Sequence, residues 1–266
     1  MNILFFGDVM GKIGRKAINK IVPSWKKKYK QDIIIANGEN LAHGVGITEK
    51  TVREIFDSGV DFLTGGNHIF DKDADAPAMW DTAMFGKKMV RPANFLMEKP
   101  GNGAMEIETK KGKLMVVNLL GRVFFKEEYK DPFLAIDEIL KSKSSDVNCV
   151  LLDFHAEATS EKVALGWYLD GRVSAIVGTH THIPTCDARV LPAGTAYITD
   201  VGMVGAKDSV LGEDKETIIK SFLSGKGFKH SIAEDGEAIV QAVLIKVDDK
   251  TGKAKSIERL EEIVKV

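Results

Sequence analysis

Cysteine is almost missing from this chain. Its 266 residues include two, Cys149 and Cys186, and neither belongs to a Cys-x-x-Cys pair. No disulfide framework is visible, which suits a reducing compartment. No apolar run approaches the roughly 20 residues of a membrane span. The first residues carry neither a basic leader nor a cleavage site. A surplus of charge is missing too: the formal net charge is -1, so no global field draws the chain to nucleic acid or anionic membrane. Lysines cluster only at Lys26, Lys27, Lys28 and Lys30, which reads as a solvated helix face. These absences point to a cytoplasmic protein with no membrane association and no stable nucleic-acid complex.

What is present is an ordinary globular balance, 44% hydrophobic and 28% charged. The length permits a substantial core, and with no linker, repeat or low-complexity tract the expectation is a single domain over 1–266. Strands are expected at 2–7, 33–36 and 62–64, with helices between them at 17–25 and 48–58. That rhythm predicts parallel pairing. Pro23 should kink or split the first helix. Thr48 should cap the second, and Gly59 should stop it. A helix is expected over 73–85, a hairpin from 104–109 and 113–120, and a helix from Pro132 to 140. Further strands are expected at 149–154, 174–177 and 195–199, a helix at 213–223, and closing strands at 238–247 and 254–260. Thr159 or Ser160 should cap the helix that runs to about residue 170.

The strand ends carry the chemistry. They are Asp8, then Glu39 and Asn40, then Asn67 and His68, then His155, then the pair His180 and His182. In open α/β sheets, ligands bind outside the carboxyl ends of strands. In an extended segment alternate side chains share a face, so His180 and His182 should point to the same side. Five strand ends with carboxylate, amide and imidazole groups form a mixed nitrogen and oxygen set without thiolate. That set suits manganese, iron or zinc ions better than it suits a structural zinc site.

In this order Gly7-Asp8, Glu39, Gly66-Asn67-His68, His155 and Gly178-Thr179-His180-Thr181-His182 resemble the calcineurin-like metallophosphoesterase pattern. The stretches around Glu39 (38–48) and His155 (153–162) resemble one branch more closely, the YmdB-like 2′,3′-cyclic-nucleotide 2′-phosphodiesterases. The resemblance implies an α/β fold of two mixed sheets flanked by helices, an α/β/β/α sandwich with its active site at the strand ends. It implies a homo-oligomer and two divalent or trivalent metal ions, iron and manganese first, zinc or magnesium as alternatives. By matching positions, Asp8, Glu39, Asn40 and His182 would hold the first ion. Glu39, Asn67, His155 and His180 would hold the second. A hydroxide between the ions would open a 2′,3′-cyclic nucleotide to the 3′-nucleotide, with His68 as the catalytic acid or transition-state stabiliser. Two departures from the broad family, Met10 in place of a metal-binding histidine and Glu39 in place of aspartate, are shared with the branch, and Asn40 would take the vacant coordination place.

Other candidates have competing readings. His43 either contacts substrate or is a surface-loop residue. Gly44 and Gly46 either let the backbone approach a phosphate or turn a tight loop, the preferred reading. Thr159 and Ser160 either donate to phosphate or cap their helix, the latter preferred. Phe70, Trp80, Phe124, Phe125 and Tyr129 stack on a nucleobase or, preferably, belong to the core. His230 lies outside every motif and takes no role. Two further readings keep the site but change its use, either to another phosphoester as substrate or to a low-turnover, phosphate-binding regulatory protein.

Overall fold

A computed structural model describes residues 1–72, 76–82, 85–227, 229 and 231–266. In chain order the elements are β1 (Asn2–Val9), α1 (Gly11–Tyr29), β2 (Ile33–Asn37), α2 (Glu49–Asp57), β3 (Phe62–Thr64), α3 (Ala76–Trp80), β4 (Ala104–Thr109) and β5 (Gly112–Leu120). Then follow α4 (Pro132–Ser142), β6 (Cys149–His155), α5 (Thr159–Tyr168), β7 (Ala175–Thr179), β8 (Arg189–Val190), β9 (Ala196–Ile198), β10 (Met203–Ala206), α6 (Lys215–Ser224), β11 (Glu237–Val247) and β12 (Ala254–Lys265). No helix among the described residues is long and apolar enough to cross a membrane.

Two six-stranded sheets result, in the orders β12-β11-β10-β1-β2-β3 and β4-β5-β6-β7-β9-β8. Both are mixed. β10, β1, β2 and β3 run parallel, β11 runs antiparallel to β10 and β1, and β12 is antiparallel to β11. β5, β6, β7 and β9 run parallel between the antiparallel edges β4 and β8. Alternation within β1 explains the layering. Ile3 and Phe5 face the second sheet, where they meet Val116, Leu151 and Val177. Leu4 and Phe6 face the opposite way, against Ile13, Ile18 and Trp25 of α1 and Val52 of α2. On the far side, Val117, Leu152 and Phe154 pack under Ile136 of α4 and Leu165 of α5. A strand buried on both faces needs a continuous apolar run, and β1 has one at 3–6 and β6 one at 149–152, ahead of Asp153.

The parallel strands all point their carboxyl ends to one side, which places the candidate residues together. β1 is re-aimed there by a register shift between Phe6 and Asp8. At the intervening Gly7 the chain passes so close to Gly202 that an added Cβ would lie 2.0 Å from its carbonyl oxygen.

Several local expectations change. α1 is not split at Pro23; Ile21, Val22 and Trp25 on both sides of it are buried in one cluster with β1 residues. α5 is capped by Ala158 without a side-chain hydrogen bond, so neither Thr159 nor Ser160 is the cap. The Thr48 cap of α2 does form, reciprocally with Thr51. β12 continues to Lys265, beyond the expected residue 260. The helix expected over 73–85 is the five-residue α3; residues 73–75 and 83–84, and His230, lie outside the described residues.

Candidate metal centre

Each strand end delivers one piece. Asp8 at the end of β1 is fully buried. Glu39 and Asn40 follow β2, Asn67 and His68 follow β3, His155 ends β6, and His180 and His182 follow β7. Glu39, His155 and His180 bring ligand-type atoms within 4.8 Å of one another. Around His155 Nε2 stand Glu39 Oε1 at 3.1 Å, Asn67 Oδ1 at 3.0 Å and His180 Nδ1 at 3.0 Å. One N–H cannot donate well to three acceptors, whereas a cation among them satisfies all. On the other side of Glu39, Asn40 Nδ2 lies 3.2 Å from Glu39 Oε1 and 3.4 Å from His182 Nε2. Turning that amide over presents its carbonyl oxygen instead. Asp8 Oδ1 lies 3.7 Å from His182 Nε2, and it is buried with no hydrogen-bond partner. An orphaned buried carboxylate oxygen is costly without a partner. The donor set therefore fits metal ions of borderline or hard character.

The second nitrogen of each imidazole is engaged, and this decides which nitrogen faces inward. His155 Nδ1 lies 2.9 Å from Thr179 Oγ1, which in turn donates to Asp153 Oδ1 at 2.7 Å. Asp153 Oδ2 accepts from Thr64 Oγ1 and Asn37 Nδ2, at 2.5 and 3.0 Å. His180 Nε2 lies 3.0 Å from Glu157 Oε2, and His182 Nδ1 donates to the Leu211 carbonyl at 2.9 Å. All three rings thus direct their remaining nitrogen at the centre. The reason expected for the histidine pair is corrected. β7 ends at Thr179, and His180 and His182 adopt φ of 99° and 63° rather than extended values. Two left-handed residues split the pair, His180 toward His155 and Glu39, His182 toward Asp8 and Asn40. Such conformations persist only where the surroundings impose them.

Electrostatics in the metal-free protein follow from the crowding. Burial raises the Asp8 carboxyl, against the pull of His182 and His155. Burial also acts to raise Glu39, but His155 and His68 outweigh it and hold the carboxyl below its usual range. For His155, burial disfavours charge, yet Glu39, Asp8 and Asp153 raise it to about 9. Burial and the His155 charge press His180 down to about 2. Burial lifts Asp153 to about 6. Charge on His155 is thus favoured where a cation would sit, and protons and metal ions compete for these groups.

Sequence reasoning missed the supports. Asp153 had a readable signal, a carboxylate inside an apolar strand. Glu157 had none beyond its place two residues after His155. Lys162 and Asp200 form a buried ion pair at 2.7 Å, with side chains 2% and 1% exposed. Lys162 Nζ also donates to the Thr179 carbonyl, and Asp200 Oδ2 accepts from the Thr181 amide and hydroxyl. The pair clamps the turn that carries His180 and His182. Removing one partner of a buried pair costs about 3–5 kcal/mol. Lys162→Met should therefore lower Tm by roughly 6–10 °C. Adding Asp200→Asn, which removes the orphaned charge, should recover part of that fall in a thermal melt; no recovery would mean the Lys162 stem, not its charge, matters.

Other candidates fall elsewhere. His68 lines the cleft beside Asn67, with its backbone N–H donated to Glu39 Oε2 at 2.9 Å and its Nδ1 2.7 Å from Asp71 Oδ2. His43 lines a groove with Lys12, Lys16 and Glu234 that shares no residue with the cluster. Gly44 adopts φ 83° in the tight loop; an added Cβ there would collide with Ile232. Thr159 and Ser160 are exposed in the first turn of α5. Of the aromatics, Trp80 and Tyr129 are buried, but Phe124 is 82% exposed, and Phe125 packs on His180 with ring centroids 4.9 Å apart. Gly66 must lack a side chain, since a Cβ would lie 2.1 Å from Glu39 Oε2.

The chain is similar to known proteins over nearly its whole length. A family model described as YmdB-like protein matches residues 4–260. A 2′,3′-cyclic-nucleotide 2′-phosphodiesterase of Bacillus subtilis (strain 168) is 48% identical over 260 residues, covering 98% of this chain and 96% of the relative. The crystal structure of a novel phosphatase from Mycoplasma pneumoniae superposes with a TM-score of 0.91 at 35% identity, over 99% of this chain and 93% of that one. The calcineurin-like phosphoesterase YfkN from Bacillus subtilis shares the fold, with a TM-score of 0.52 at 12% identity over 100% of this chain and 90% of that one.

Proposed function

The chain belongs to the YmdB-like protein family, and from that premise we propose that it is a metal-dependent phosphodiesterase that opens 2′,3′-cyclic nucleotides to 3′-nucleotides. The observation that carries this reading is the inward aim of three imidazole nitrogens around Glu39 and the unpartnered Asp8 oxygen. Asp8, Glu39, Asn40 and His182 would hold one ion, and Glu39, Asn67, His155 and His180 the other, with iron or manganese favoured by the mixed nitrogen and oxygen donors. When bound, such ions act as Lewis acids, acidifying water and neutralising charge on phosphoryl oxygens.

This chain's own residues supply the rest. The Asp153–Thr179 relay and Glu157 orient His155 and His180. Asp71 engages His68 Nδ1, which leaves Nε2 for the substrate. The oxygen of water forms the new bond to phosphorus, the bond from phosphorus to O2′ breaks, and His68 Nε2–H passes its proton to O2′. The proton shed by the water restores the imidazolium. Thr159 and Ser160, at the amino end of α5 just beyond His155, are kept as weaker phosphate contacts. The reading carries with it a cytoplasmic setting, supported by two free cysteines, and a homo-oligomer measurable by gel filtration with light scattering.

The test is product analysis. Purified protein loaded with Mn²⁺ or Fe²⁺ should convert 2′,3′-cyclic AMP to 3′-AMP and not to 2′-AMP, and chelator should abolish the conversion. Bound metal with no turnover on any 2′,3′-cyclic nucleotide would overturn the substrate assignment.

A further inference from the structure

The cleft beside the cluster has an end that the reaction above leaves unused. Asn67 and His68 line this space of about 320 Å³ together with Phe70, Phe95 and Tyr129. Its aromatic lining is continuous. Phe70 and Phe95 meet edge to face at 5.7 Å, and Phe95 and Tyr129 at 5.8 Å. Leu96 and Met97 continue the wall outward and are 52% and 79% exposed. Lys99 Nζ hangs over this wall, 5.4 Å from the Phe70 ring centre and 6.0 Å from that of Phe95. Tyr129 is buried, while Phe70 and Phe95 keep partly open faces on the cleft.

A core edge does not need this arrangement. Exposed apolar side chains contiguous with half-open rings mark surface that a ligand covers. The rings stand beside the residues assigned to the phosphate, so the occupant must carry a flat, apolar face joined to its phosphate by a short spacer. A nucleoside meets that description, its base and its 2′,3′-phosphate being attached to the same ribose. The volume lies near the lower end of small-molecule sites, which suits one nucleoside rather than an oligonucleotide. The lysine, beside these same rings, adds a cation within reach of a stacked base.

We propose that the wall of Phe70, Phe95 and Tyr129, with Met97 and Lys99 at its rim, seats the base of the substrate and makes the enzyme prefer nucleoside cyclic phosphates over base-free ones. The inference rests on the phosphodiesterase reading and names the part of the substrate that the metal cluster does not touch.

The experiment compares kcat/KM on 2′,3′-cyclic AMP with that on methyl riboside 2′,3′-cyclic phosphate, which lacks the base, for metal-loaded wild type, Phe95→Leu and Met97→Ala. Leucine keeps an apolar side chain where Phe95 packs on the core. The wild type should favour the nucleotide. Phe95→Leu should lose at least about fivefold on the nucleotide, the low end of what base stacking supplies, chiefly through KM and with the base-free rate held. Met97→Ala, at an exposed position that folding does not need, should move the same ratio in the same direction. Equal wild-type efficiency on both substrates, or parallel losses on both in the variants, overturns the base site and leaves the phosphodiesterase standing. Hydrolysis of neither substrate by the wild type removes the phosphodiesterase reading and this inference with it.

Discussion

Glu39→Gln is expected to lose bound metal together with turnover, the latter by at least about 1,000-fold, because Lewis-acid catalysis supplies several kcal/mol. The side chain stands between both halves of the cluster. Its Oε1 faces Asn40 Nδ2 and His155 Nε2, and its Oε2 accepts the His68 amide. A glutamine matches the shape but offers one acceptor oxygen and no charge. In the metal-free protein it also removes the first charge that keeps His155 protonated. The fold should survive, since volume is conserved. Metal content by inductively coupled plasma spectrometry, read beside hydrolysis of 2′,3′-cyclic AMP, tests both effects; a variant that keeps two metals and full turnover would remove Glu39 from the centre.

His68→Ala is expected to separate metal from chemistry. Its ring is not among the groups that converge on His155 Nε2, and its link to Glu39 runs through the backbone amide, which alanine retains. Metal content and Tm should therefore stay near wild type. Turnover should fall about 10²- to 10⁴-fold, the usual contribution of a positioned general acid. The loss should shrink on a substrate whose leaving group needs no proton, such as a p-nitrophenyl phosphodiester. An equal loss on both substrates would mean that the ring binds the phosphate rather than protonates the leaving oxygen.

The candidate residues were legible because ligand-type side chains end runs that are otherwise apolar. Asp8, Asn67 and His155 interrupt patterns that a buried strand would continue. The supports were harder to see. Glu157 and Lys162 lie in ordinary helix-start and helix positions, and their importance comes from His180 and Asp200, which are distant in sequence. β10 escaped because four residues including Gly205 carry no period, and its pairing is wholly with β1 and β11. β12 was read too short because it is an edge strand, and the charged neighbours Glu258-Arg259 and Glu261-Glu262, which fall on both faces, break the alternation. The capping of α5 was misjudged since hydroxyls at 159 and 160 suggest a cap, while the turn places Ala158 there.

By itself the sequence determined the alternation of strands and helices, the burial of β1 and β6 on both faces, and the set of groups at the strand ends. Those properties depend on near neighbours along the chain, where the period of side chains and the reach of a turn decide them. Only the tertiary structure decided which nitrogen each histidine presents, which carboxylates stand behind them, and that His180 and His182 part, one toward His155 and the other toward Asp8 and Asn40. The partners that set these orientations are Thr179 for His155, Glu157 for His180 and the carbonyl of Leu211 for His182. They come from other strands and loops, and a hydrogen bond across the fold has no period to read.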